Sequence, residues 1–145
     1  MRIPMKVDYG VRALVELAQH DDETPLPTSE IASRQGIPEP YLDQVLAVLQ
    51  KFGFVRSRRG PQGGHTLARN PNDINLGMVV GTLEGTAALL LCIEHPSECT
   101  LSAACAQREV WQTVEDTVQN VLDTTTIADL ASRQQHLASR GMYYI

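Results

Sequence analysis

The amino-acid sequence predicts a mainly α fold: a winged helix-turn-helix DNA-binding domain with a long C-terminal dimerisation helix. Three observations carry this. Two helical segments meet at Gly36-Ile37-Pro38. Two strand-like runs flank the basic, glycine-rich Arg58-Arg59-Gly60-Pro61-Gln62-Gly63-Gly64. An apolar stripe at helical spacing then runs from Val110 to Leu122.

The first helix is expected over about residues 5–20, with Val11, Leu14, Val15, Leu17 and Ala18 on its apolar side. The acids and proline of Asp21-Asp22-Glu23-Thr24-Pro25 end it. Thr28 is read as the cap of a short second helix, Ser29 to about Gln35, with Glu30 complementing its dipole. Glu39 and Pro40 open the third helix, where proline is tolerated because the first-turn N–H groups lack intrahelical partners. Leu42, Val45, Leu46, Leu49 and Phe52 form its buried stripe, and Tyr41, Asp43, Gln44 and Gln50 lie off it. Phe54–Ser57 and His65–Ala68 read as the two strands of a wing. Asn75 caps a fourth helix, Leu76 to about Glu84, stopped by Gly85. A long helix begins near Cys105, and a short one follows Thr126 through Ile127 and Leu130. The domain reading is 1–85 for DNA binding, 86–106 for a cysteine-containing loop, 107–133 for dimerisation and the short helix, and 134–145 for a tail. A winged helix has its own core, so the stripe of Val110, Trp111, Val114, Val118, Val121 and Leu122 needs another surface. A second copy of the chain is the expected one.

Composition sets bounds on partners. With 43% apolar and 20% charged residues in 145, the chain suits one soluble domain with a sizeable core. No apolar run approaches the ~20 residues of a membrane span, and the N-terminus lacks a signal-peptide core, so no membrane partner and a cytoplasmic location are expected. The net charge of −5 argues against DNA until its distribution is read. Residues 1–69 hold nine basic and eight acidic side chains; residues 70–145 hold three and nine. Between Gln44 and Asn72 there is no acid, but Lys51, Arg56, Arg58, Arg59 and Arg69 are there. A local basic patch is what phosphate contact requires. No nucleophile with a plausible base and no phosphate-binding signature is present, so an enzyme is not expected.

Cys92, Cys99 and Cys105 are the chain's only cysteines, spaced x6 and x5. Thiolates are soft ligands for iron–sulfur clusters, zinc or copper(I). The tight Cys-x2–4-Cys pairs of zinc sites are missing. Three buried small hydrophobes remain the plain alternative.

The order and spacing of several motifs resemble the bacterial winged-helix regulators of the IscR, NsrR and CymR kind, the Rrf-two family. The likeness lies in Met1-Arg2-Ile3 with Lys6 and Tyr9, Ile31-Ala32, Gly36-Ile37, Tyr41-Leu42 with Gln44, and Gly53-Phe54-Val55. It continues through Arg59-Gly60-Pro61-Gln62-Gly63-Gly64, Leu67-Ala68-Arg69, Leu83-Glu84-Gly85, and residues 121–130. The resemblance implies a homodimer on a palindromic or near-palindromic site of double-stranded DNA. It implies a transcriptional regulator, with repression the expected sense. It further implies an iron–sulfur cluster, 2Fe–2S or 4Fe–4S, on Cys92, Cys99 and Cys105 that senses iron–sulfur status, nitric oxide or redox state. Members such as CymR lack these cysteines and are controlled differently, so a thiol- or zinc-based regulator of the same fold is the alternative.

Such a cluster normally takes four protein ligands. Where IscR-like proteins place a histidine, this chain has Gln107. Asp8 falls where NsrR-like proteins use an acid from the other subunit, with Glu94 and His95 as rivals inside the loop. The spacing between the first two cysteines is one residue longer than the family's x5. For DNA, Tyr41, Asp43 and Gln44 are expected in the major groove: Gln pairs adenine and Asp accepts from cytosine, unless these side chains meet only phosphate or solvent. Asp43 stands where IscR-like proteins have a base-reading glutamate. Arg59 is expected in the minor groove. Gly60 and Gly63 would let backbone approach the phosphates, and Thr28, Ser29, Arg56 and Arg58 would contact them.

Overall fold

The structure is a computed structural model that describes residues 2–20, 23–85, 91–101 and 103–142. Expectations touching Met1, Asp21, Asp22, residues 86–90, Ser102 and residues 143–145 lie outside these. The element order is α1 (Met5–Gln19), α2 (Thr28–Gln35), α3 (Glu39–Lys51), β1 (Val55–Arg58), β2 (Gly64–Leu67), α4 (Leu76–Leu83), α5 (Leu91–Glu94), α6 (Ala106–Thr124) and α7 (Ile127–Met142). It is the mainly α winged helix-turn-helix with a long C-terminal helix that the pattern predicts.

The apolar periodicity of α1 and α3 buries Leu14 and Leu17 against Leu42, Leu46 and Leu49, with Ile31 of α2 and Val79 of α4 closing the same core. Gly10 marks a close approach of α1 to α4: a Cβ there would meet Leu83 at 2.5 Å. The turn between α2 and α3 is set by Gly36, whose left-handed φ of 62° lets Ile37 N–H reach the Ala32 carbonyl at 2.9 Å. The wing is an antiparallel hairpin with Ser57 opposite His65 and Arg58 opposite Gly64. It is tied to the chain before α2, where Leu26 and His65 exchange backbone bonds of 2.9 and 2.8 Å.

Three expectations change here. Phe52 is not in the buried stripe; it is 52% exposed, because α3 ends at Lys51 and the chain turns at Gly53 with φ 80°. Thr28 does not cap α2: Pro27 holds that position with no side-chain bond, and the Thr28 hydroxyl is engaged elsewhere. The last helix is not short. It runs to Met142, so the tail assigned to 134–145 is helical as far as Met142. Its first turns fold back on the winged domain, with Ile127 fully buried and Gln19 Nε2 donating to the Ala131 carbonyl at 3.0 Å. From Ser132 onward every described residue is exposed.

Helix α6 is different in kind. Its stripe forms as expected, yet no residue of it is buried in the single chain. Val110, Trp111 and Val121 are exposed, and Val114, Val118 and Leu122 are partly so.

Candidate nucleic-acid interface and cysteine loop

Helix α3 turns Leu42, Val45, Leu46 and Leu49 inward, which leaves Tyr41, Asp43 and Gln44 exposed on its first two turns. Arg56, Arg58 and Arg59 are exposed on the wing, and Ser29 is exposed at the start of α2. The predicted DNA contacts therefore fall on the exposed surface of the helix-turn-helix and its wing, with Thr28 partly buried between them. Arg69 does not join them. It stacks on the Phe54 ring at 4.7 Å and donates to the Gly53 and Phe52 carbonyls at 3.2 and 3.1 Å, closing the C-terminal end of α3.

The wing glycines have a reason internal to the hairpin. Gly60 takes a φ of 110°. A Cβ on Gly63 would lie 2.1 Å from the Arg58 carbonyl oxygen, and one on Gly64 would lie 2.5 Å from the Leu26 backbone. These glycines fold the tip and seat it on the Leu26 segment, whatever they do at a phosphate.

Sequence reasoning missed His65. Its ring sits between Thr28 Oγ1, 2.7 Å from Nε2, and Ser57 Oγ, 2.8 Å from Nδ1. Ser57 Oγ donates in turn to Gln50 Oε1 at 2.9 Å. This chain of bonds joins α2, β2, β1 and α3. Burial pushes the imidazole below its usual pKa, opposed by the nearby Asp43 charge. The signal available in sequence was a histidine opposite a serine in the hairpin register.

The three cysteines lie at turns. Cys92 is in α5, Cys99 follows a 3-10 turn (Pro96–Glu98), and Cys105 is the residue before α6. All three are free thiols, partly buried. Arg108 Nε donates to the Cys92 carbonyl at 3.3 Å, tying the loop to the head of α6. Glu94, His95 and Gln107 are exposed. In kind, three soft thiol donors within residues 92–105 fit an iron–sulfur cluster. The single chain does not gather them: among the described residues no group of three or more His, Cys, Asp or Glu side chains is placed to hold a metal ion. Asp8 is on α1, where its Oδ2 accepts from Arg12 Nε and Nη2 at 3.1 and 2.5 Å. That contact raises the Arg12 pKa above its usual value. Arg12 also donates to the Gln35 carbonyl at 2.7 Å, so Asp8 sits at the joint of α1 and α2. No helix among the described residues is long and apolar enough to cross a membrane.

The sequence from residue 3 to 133 matches the family described as Rrf2, Iron-dependent Transcriptional regulator. Protein rrf2 of Nitratidesulfovibrio vulgaris is 37% identical over 130 residues, covering 90% of this chain and 87% of that protein. Among solved structures, CymR, the global cysteine regulator of B. subtilis, aligns with a TM-score of 0.79 at 34% identity, covering 92% of this chain and 98% of that one. T. potens IscR aligns at 0.74 and 39% identity, covering 92% and 88%.

Proposed function

We propose that this chain, which belongs to the Rrf2 family of transcriptional regulators, is a DNA-binding regulator whose hold on DNA is set by an iron–sulfur cluster at Cys92, Cys99 and Cys105. Relatives of this chain include the HTH-type transcriptional regulators IscR and CymR. The observation that carries the reading is the pairing of two features on one fold: the exposed Tyr41, Asp43, Gln44 and wing arginines, and a three-thiol loop bonded to the head of α6.

In this reading a second copy covers the α6 stripe, and the pair presents two α3 helices to a palindromic or near-palindromic site. Gln44 and Asp43 read base edges, Arg59 enters the minor groove, and Ser29, Thr28, Arg56 and Arg58 hold phosphates that fix the register. With a cluster bound, Asp8 of the partner subunit would be the fourth ligand. A bound cluster supplies redox-sensitive and labile coordination. Because Asp8 also holds Arg12, and Arg12 holds the end of α2, a change in what Asp8 binds reaches the helix-turn-helix directly. The site of action is the cytoplasm.

A thiol-based regulator of the same fold is the second reading. The likeness to a cysteine regulator and the ungathered thiols favour it. Anaerobic isolation with iron and sulfide counting and a visible spectrum separates the two. Wild-type protein is expected to carry iron, sulfide and thiolate-to-iron absorbance, and Cys99→Ala to lose them. A colourless wild-type protein with no iron, or full colour retained in Cys99→Ala, refutes the cluster at this loop.

A further inference from the structure

His65 carries an inference that goes beyond the contact surface and rests on the proposal that this surface binds DNA. A hydroxyl has one hydrogen to donate, and a neutral imidazole has one N–H. Ser57 directs its hydrogen to Gln50 Oε1, so its oxygen accepts from His65 Nδ1–H. Nε2 is then an acceptor and takes the hydrogen of Thr28. In this state Thr28 Oγ1 has only lone pairs to offer outward. A DNA phosphate offers only acceptor oxygens, so Thr28 can bond one only by giving up its bond to Nε2, which leaves a half-buried ring nitrogen without a donor.

We infer that Thr28 donates to a DNA phosphate only when His65 is the imidazolium, so that making this contact takes up one proton from solvent at His65 Nε2. The protonated ring keeps Nδ1–H on Ser57 and turns Nε2–H toward Thr28 Oγ1. The hydroxyl hydrogen of Thr28 is then free to rotate onto the phosphate, with the new positive charge on the far side of the Thr28 oxygen.

The surroundings permit this exchange. Thr28, Ser57 and Gln50, the groups bonded along the chain, are uncharged. Asp43 on α3 is the acid whose field favours the cation. Glu30 on α2 is paired with Arg34, and Glu16 on α1 is held by Arg34 and Gln35. Arg56 and Arg58 alternate with Ser57 along β1, opposite Thr66 and Gly64 rather than His65. Burial disfavours the imidazolium in the DNA-free protein, and a phosphate at Thr28 would favour it.

The test uses the full chain and a DNA duplex enriched from a random library on the wild-type protein. Affinity is measured from pH 5.5 to 8 at fixed ionic strength. Wild-type binding is expected to tighten as pH falls, with a slope approaching about tenfold per pH unit between the His65 titrations of the free and the DNA-bound protein. His65→Gln keeps a donor and an acceptor but does not titrate; it and Thr28→Val are expected to bind with a flatter profile. Equal slopes in all three binding proteins overturn the inference and leave the DNA reading intact. Failure of the wild-type chain to enrich any duplex overturns both. Independently of any variant, the His65 ring resonances of the wild-type protein are expected to titrate at higher pH with the duplex than without it. An unchanged midpoint overturns the inference.

Discussion

His65 shows how much one side chain does that its position in the sequence does not announce. Its half-buried ring bonds to two hydroxyls and spans four elements. Because burial lowers its folded-state pKa, the unfolded chain binds the proton more readily. Stability contributed by His65 is therefore full above about pH 6.5, the ordinary histidine value, and is lost as pH falls through the folded pKa. Urea unfolding of the DNA-free protein at pH 7.5 and 5.5 is expected to show a smaller acid loss in His65→Gln than in wild type. Equal losses would mean the ring does not carry this linkage. The exposed candidates Tyr41, Asp43, Gln44 and Arg59 were legible in the sequence because they fall off a strong apolar stripe or at a turn. Thr28 and Arg69 were not. Both have chemistry suited to phosphate, and only the fold shows one bonded to His65 and the other clamped to carbonyls ending α3.

Among the elements, the wing is the one whose shape is dictated by what glycine lacks. The Arg58 carbonyl occupies the space a Cβ on Gly63 would need. Gly63→Ala is expected to cost about 1–3 kcal/mol through forced displacement of the tip, read as a lower urea midpoint at unchanged slope. A midpoint equal to wild type would show that the tip relaxes freely. Helices α1 and α3 were legible because long apolar stripes fix their phase. Helix α7 was underestimated for the opposite reason. Beyond Ala131 its described residues are exposed and its sequence is polar, so no buried face advertises its length. Its start carried a readable signal: Thr126 and Asp129 exchange bonds of 2.9 and 3.1 Å in a reciprocal cap, which also lowers the Asp129 pKa.

For the molecule as a whole, the open question is what completes the single chain. Every residue of α6 is at least partly exposed, with Val110, Trp111 and Val121 of its apolar stripe exposed outright. Sedimentation is expected to give a dimer for wild type and a monomer for Val121→Asp with native helix content, since Val121 is 55% exposed and its change leaves the winged core untouched. A dimeric Val121→Asp would remove α6 from the interface. The proposed dimer is legible in the sequence only as an apolar stripe, because a sequence shows that a face is apolar and not what covers it. The same limit applies to the cysteines. Their type and clustering pointed to soft-metal chemistry, while the single chain leaves them ungathered and keeps Asp8 on Arg12.

In the proposed function the state of the cysteine loop sets the grip on DNA. The direct measurement is the affinity of anaerobically isolated protein for its enriched duplex, before and after iron chelation, at fixed salt and pH. A change of at least about tenfold is expected, equivalent to ~1.4 kcal/mol, and it is absent in Cys99→Ala. Identical affinity for loaded and stripped wild-type protein would contradict it.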